Sequence, residues 1–243
     1  MFSIFSKTKY IQDYIPAGYT DIHSHILFGI DDGAKTIDDS NTILKTLSNI
    51  GVQRIITTPH ISKHIWNNTP EIIKTKYSEI CTDLSEITNK LSLSYAAEYL
   101  LDDDFMALAQ QKALLTYKDA HVLVEFSYYN APINYLQLFF ELQLLGYTPV
   151  LAHPERYNYF HNQLEVFKQL HKMGVKLQLN LLSLVGYYGL EVQKMADQLL
   201  KNNLYTFTGS DLHHKQHCNS IMKPIKAKNI NGLQDIMKNN IQL

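Results

Sequence analysis

Seven short β-rich runs recur along the 243 residues, each leading into an amphipathic stretch: TDIHS, RIITT, LSLSYAA, HVLVEFS, TPVLAH, VKLQLN and LYTFTGS. Branched and aromatic residues in runs of this length read as strands, and the stretches between them carry helical spacing. The punctuation agrees. Thr69-Pro70-Glu71 has the form of an N-cap followed by a first-turn proline, and Gly51, Gly146 and Gly174 stand just past helix ends. Repeated βα units imply a parallel sheet. About seven units favour a closed or nearly closed α/β barrel over an open doubly wound sheet, although periodicity alone does not separate the two. No low-complexity linker interrupts the pattern, so a single domain over residues 1–243 is expected, with residues 1–18 as an N-terminal extension.

The strand ends carry the chemistry. His23 and His25 close the first run, His60 follows the second, Glu98 the third, and Glu125 lies in the fourth. His153 follows the fifth run, Asn180 ends the sixth, and Asp211 with His213 follows the seventh. In a parallel barrel the C-terminal strand ends open on one face, so these side chains are expected to converge there. A single histidine beside an apolar run is more often a hydrogen-bonded core or rim residue than a ligand. The group is harder to dismiss. Residues i and i+2 of a strand share a side, so His23 and His25 are expected to present two imidazoles to one centre. Histidines and carboxylates without a suitably placed thiolate suit Mn, Fe or Zn better than Ca or Mg. The donors outnumber the needs of one four-coordinate ion, which implies a multinuclear centre that activates a water and clamps an anion.

Composition narrows the partners. A formal net charge of -1 supplies no pull toward nucleic acid or an anionic membrane. The apolar segment LQLFFELQLLGYTPVLA is broken by Gln137, Glu141, Gln143, Gly146 and Pro149, so it reads as a helix followed by a buried strand and not as a membrane span. Residues of MFSIFSKTKY have the reverse order of a secretion signal, and Cys81 and Cys218 lie far apart without a CxxC spacing. A reduced, cytoplasmic protein is expected.

The stretches DIHSHILFGIDDGAKT, TTPH, AAEY, VEFS, AHPERY, NLLSLVGYYG and GSDLHH, in this order between Tyr19 and His214, resemble the PHP-domain protein-tyrosine phosphatases of bacterial capsule and exopolysaccharide loci. The resemblance implies a distorted TIM-like (β/α)7 barrel with three divalent transition-metal ions, manganese foremost, with iron or zinc as alternatives. It also implies hydrolysis of phosphotyrosine on a partner protein, a tyrosine autokinase, by a metal-bound hydroxide. Carried over residue by residue, His23, His25, Glu98 and Asp211 surround one ion. Glu98 bridges to a second held by Glu125 and His153, and Asp32, His60 and His213 hold the third. Asp31 competes with Asp32, and the residue before the glycine is preferred. Of the remaining histidines, His121, His161, His171 and His217 read as surface or packing residues, and His64 is the foremost outer candidate.

Some relatives have basic residues after the second-strand histidine, where this chain has Ile61-Ser62-Lys63-His64, so Lys63 is a weak substitute and Arg156 becomes the expected phosphate clamp. Its planar fork binds two phosphate oxygens at once. The competing reading is a structural salt bridge at the barrel rim. The aromatics Phe126, Tyr128, Tyr129, Tyr187 and Tyr188 are candidates to receive a phosphotyrosine ring. Two other functions stay open at this point: a small-molecule phosphomonoesterase of the histidinol-phosphatase type, and a non-catalytic metal-binding regulator of polysaccharide assembly.

Overall fold

The computed structural model describes residues 8–118 and 120–243, and in it the seven runs become nine strands. These are β1 (Thr20–Asp21), β2 (Arg54–Thr57), β3 (His60–Ile61), β4 (Leu93–Tyr95) and β5 (Glu98–Leu100), followed by β6 (His121–Glu125), β7 (Thr148–Ala152), β8 (Lys176–Asn180) and β9 (Phe207–Gly209). Every pairing is parallel, in a three-stranded sheet β1-β2-β4 and a six-stranded sheet β3-β5-β6-β7-β8-β9.

Two of the expected strands are each followed by a further short strand. Pro59 has no N–H to donate, and β2 stops before it while β3 starts after it. The ladder nevertheless continues across the break, with Ala96 N donating to Thr57 O at 2.9 Å and Glu98 N to Pro59 O at 3.1 Å. Glu98 therefore lies within β5 and not after a single strand. The first run is also shorter than expected, because past Asp21 its backbone turns to other partners. Ser24 O accepts from Thr58 N and the Thr57 hydroxyl, both at 2.8 Å, and Ile26 N donates to Thr57 Oγ1 at 3.2 Å. The seam between first and last strands is made beyond their ends, by Asp211 N to His23 O at 2.7 Å, His25 N to Leu212 O at 3.0 Å and the parallel bridge Ser24–Leu212. The ring is thus a distorted barrel assembled from two sheets, with no single continuous ladder.

Alternation along β6 shows how the layers divide. Val122 and Val124 join the large apolar cluster that packs the sheet against its helices, while Leu123 joins Ile22, Ile56, Ala96, Tyr117, Val150, Ala152 and Phe207 in a second cluster drawn from strands around the ring. Glu125, two residues beyond Leu123, shares its side and rises at the strand's C-terminal end. The apolar segment 136–152 forms the helix Tyr135–Leu144 and β7, and no helix among the described residues is long and apolar enough to cross a membrane. Thr69 caps the helix Pro70–Asp83 by accepting from Ile72 N at 3.3 Å. Of the expected N-terminal extension, residues 1–7 fall outside the described residues; beyond them Ile11 is buried, and Ile225 N donates to Lys9 O at 2.8 Å.

Candidate metal centre

The C-terminal ends of the strands, the loops after them and the first residues of β3 and β5 bring together His23, His25, Asp32, His60, Glu98, Glu125, His153, Asp211 and His213. Close backbone approach makes this possible. A Cβ on Gly33 would lie 2.4 Å from both the Cβ and the carbonyl oxygen of His25, so only glycine lets the Asp31-Asp32-Gly33 turn fold back onto that histidine. A Cβ on Gly209 would stand 2.6 Å from His23 Cβ. His153 and Asp211 both adopt left-handed backbone, with φ of 33° and 52°, which costs on the order of 1–3 kcal/mol each and re-aims the side chain as the strand ends.

The donor atoms fall into four overlapping sets: His25, Asp32, His60, His213; His23, Glu98, His153; His23, His25, Asp211; and His60, Glu98, Glu125. His23, His25, His60 and Glu98 each belong to two of them. Glu98 spans the group: Oε2 lies 3.0 Å from His23 Nε2, 3.2 Å from His25 Nε2 and 3.4 Å from His60 Nδ1, and Oε1 lies 3.2 Å from His153 Nε2. His60 Nε2 and His213 Nε2 face Asp32 Oδ1 at 3.4 and 3.5 Å.

These atoms fit a cation better than they fit one another. His23 Nδ1 meets Gln178 Oε1 at 2.9 Å and His25 Nδ1 meets Asp31 Oδ2 at 2.8 Å; both partners are acceptors, so the protons reside on Nδ1. The two Nε2 atoms then stand 3.3 Å apart, 3.0 and 3.2 Å from Glu98 Oε2, where a shared cation would replace the protons that the carboxylate otherwise draws onto them. Glu98 Oε1 and Asp211 Oδ1 are buried and accept no hydrogen bond from the described residues. Orphaned buried carboxylate oxygens of this kind are costly unless a cation meets them.

Electrostatics point the same way. Burial would raise Glu98, but the charges of His23 and His60 outweigh it and hold the carboxyl well below its usual range. Burial would lower His23, yet Glu98 and Asp211 lift it to about 10. Burial and then the Arg156 charge push His153 down to about 4, while burial followed by the neighbouring Glu98 drives Glu125 well above the usual carboxylate range. The carboxylates thus demand positive charge, and a metal would compete with protons for the same imidazoles.

Asp31 and Asp32 take separate places. Asp31 is buried and spends its oxygens on His25 Nδ1, on His60 N at 3.1 Å and on Gly33 N at 2.9 Å, whereas the half-exposed Asp32 faces the cluster with a free oxygen. Arg156 donates from Nη1 to Asp211 Oδ2 at 2.6 Å and lies between the rings of Tyr188 and Tyr128, 4.1 and 4.8 Å from their centroids. The salt bridge set against the clamp is therefore present, but it is made to a residue of the cluster, and Arg156 also lines the cavity above it. That cavity, of about 200 Å³, is bounded by Asp32, His60, Glu98, Glu125, His153, Asp211 and His213 below and by Ile65, Trp66 and Tyr128 at its mouth.

Some expectations need correcting. His64 is exposed and pairs with Asp104 at 3.2 Å, away from the cluster; the outer histidine is His217, whose Nδ1 accepts from His213 N at 3.2 Å. Lys63 also binds Asp104, at 2.8 Å, and does not line the cavity. Asn180 donates to Asp211 Oδ2 at 2.7 Å and so holds a candidate ligand instead of facing the donor sets. Gln178 and Asn68 had no visible signal in the sequence. Asn68 donates to Ile30 O at 2.9 Å and His60 O at 2.8 Å, tying the glycine turn to the His60 strand.

Interlocking imidazole and carboxylate sets at one end of parallel strands define a protein with a candidate metal-binding centre. The family described as capsular polysaccharide synthesis, CpsB/CapC, matches residues 19–232, and this chain belongs to it. CapC of Staphylococcus aureus is 33% identical over 195 residues, 79% of this chain and 76% of CapC. The tyrosine-protein phosphatase YwqE of Bacillus subtilis is 30% identical over 195 residues, 80% of this chain and 77% of YwqE. In the crystal structures of YwqE and of CpsB from Streptococcus pneumoniae, described as metal-dependent tyrosine phosphatases, one chain superposes with a TM-score of 0.76 at 29% identity, covering 83% of this chain and 84% of its own. The histidinol phosphate phosphatase of Lactococcus lactis shares the fold, with a TM-score of 0.56 at 14% identity.

Proposed function

We propose that this chain is a metal-dependent protein-tyrosine phosphatase of capsular or exopolysaccharide synthesis. The observation that carries the reading is Glu98, which sets one buried oxygen toward His23, His25 and His60 and the other toward His153 at the floor of a cavity lined by Arg156. Membership of the CpsB/CapC family and likeness to YwqE and CpsB support the substrate class.

In this reading three divalent transition-metal ions, manganese first, are held as the sequence resemblance implies: His23, His25, Glu98 and Asp211; Glu98, Glu125 and His153; Asp32, His60 and His213. When bound, such ions acidify a water toward a pKa of about 7 and neutralise phosphoryl charge. The chain's own side chains do the rest. Gln178 and Asp31 fix the tautomers of His23 and His25, and Asn180 and Arg156 hold Asp211 Oδ2 so that Oδ1 faces the centre. The tyrosine stack orients the guanidinium, whose remaining N–H groups meet phosphoryl oxygens as charge builds on them. The phenolate, with a pKa near 10, departs with less protonation than an alkoxide needs. A tyrosine autokinase is the proposed protein substrate, and the free thiols Cys81 and Cys218 suit the cytoplasm.

The test is phosphate release from a phosphotyrosine peptide by manganese-loaded protein, beside histidinol phosphate and with elemental analysis. Turnover of the peptide, lost on chelation, with more than one ion per chain is expected. Active protein holding one ion or none would remove the multinuclear reading, and preference for histidinol phosphate would remove the tyrosine one.

A further inference from the structure

Above its ionic floor the cavity changes character. Tyr128 forms one side: its ring lies 5.9 Å from His153 at an interplanar angle of 20° and carries the Arg156 guanidinium on one face, and it is still 48% exposed. Ile65 and Trp66 line the same cavity, and Ile65 is 65% exposed although isoleucine gains by burial. Their loop is held rigidly. Ser62 N and Trp66 N exchange bonds with the opposite carbonyls at 2.9 and 2.8 Å, and Asn68 anchors the chain just beyond. Tyr128 is backed in turn by Tyr157, 6.1 Å away, and Ser127 O accepts from the Tyr159 hydroxyl at 2.8 Å.

We infer that Ile65, Trp66 and Tyr128 form a slot that receives the aromatic ring of an aryl phosphate and so determine the preference for aryl over alkyl esters. The inference rests on the phosphatase reading above and adds which residues set its selectivity. An ester phosphorus placed over the donor sets directs its organic group out through the mouth, between these walls. A flat ring covers the exposed apolar surface of both, whereas a linear alkyl group of similar length leaves much of it wet. None of the three belongs to the donor sets, so selectivity is separable from metal binding.

Benzylphosphonate and propylphosphonate, which resist hydrolysis, serve as competing inhibitors of the metal-loaded enzyme, with p-nitrophenyl phosphate as reporter. Wild type is expected to bind the benzyl compound more tightly. Tyr128→Leu and Ile65→Ser should each reduce that preference by about 3- to 10-fold, the span of a lost aromatic contact. Ile65 is exposed and belongs to none of the donor sets, so its variant guards against a misfolded Tyr128 substitution. Weakening of both phosphonates alike, with their ratio unchanged in both variants, overturns the slot, as does a wild type without preference. Turnover of a phosphotyrosine peptide by wild type is measured alongside. Its absence removes the phosphatase reading; its presence with an unchanged ratio removes only the slot.

Discussion

Glu98 and Arg156 divide the residue-scale problem between holding charge and meeting it. Because Glu98 is 3.0 to 3.4 Å from three imidazoles through one oxygen and 3.2 Å from His153 through the other, Glu98→Gln should lower metal content at two positions. Asp32, half-exposed and facing only His60 and His213 in this way, should cost one position as Asp32→Asn and retain more activity. Equal metal occupancy in the two variants, read by elemental analysis, would count against Glu98 as a bridge. For Arg156→Lys, a single ammonium retains an ion pair with Asp211 but forfeits the planar stack and the second arm. Turnover is expected to fall about a hundred- to thousand-fold, the usual loss for a preorganised donor, with metal content and melting temperature nearly kept. Near-normal turnover with a lowered melting temperature would restore the rim salt bridge. Glu98 and its histidine partners were legible as types at strand ends, whereas Asp32 and Arg156 came from the family resemblance. The split between Asp31 and Asp32 was not legible, since it depends on which carboxylate the Gly33 turn delivers to His25 Nδ1.

At the scale of elements, the short turn after β7 is pinned from below by Glu155. This fully buried carboxylate accepts from Asn180 N at 2.9 Å, the Ser183 hydroxyl at 2.8 Å and the Tyr205 hydroxyl at 2.8 Å, joining the His153–Arg156 turn to the end of β8. Burial raises its pKa above the usual 4.5 despite those bonds. A raised carboxyl retains its proton in the folded chain after the unfolded chain has lost it. Its stabilising contribution is therefore complete below about 4.5 and declines as pH rises through the folded value. Glu155→Gln removes that decline, so the stability difference between wild type and variant should shift in the variant's favour as pH rises, then level off. Denaturant titrations between about pH 4 and pH 8 would read it, and a pH-independent difference would reject the assignment. The helices and their caps were readable from spacing because capping is local. The short strands β3 and β5 were not, because each is defined by pairing with the other, far apart in the chain.

For the whole molecule, the centre gathers donors from His23 to His213, so fold and metal affinity are linked. Orphaned buried carboxylates favour any cation that binds the folded chain and not the unfolded one. Free metal at a hundred times its dissociation constant should stabilise by about 2.7 kcal/mol per independent site. Scanning calorimetry on chelated and manganese-restored protein should show a lower melting temperature for the former, recovered on restoration. Identical transitions would mean that manganese does not bind the folded chain in preference to the unfolded one.

The amino-acid order alone determined the βα repeat, its parallel sense, the face on which polar strand ends gather, and the chemical softness of the donors. These follow from period, punctuation and side-chain type, which are local. Only tertiary structure decided that Gln178 and Asp31 set the imidazole tautomers, that Asn180 and Arg156 share one oxygen of Asp211, and that Ile65 and Tyr128 line one cavity. Apart from the Asp31 turn, each of those joins residues far apart in the chain, which sequence spacing does not relate. The same holds for the shortened first strand, because the hydrogen bonds that end it come from Thr57, Thr58 and Asp211, and their position is set only once the barrel has closed.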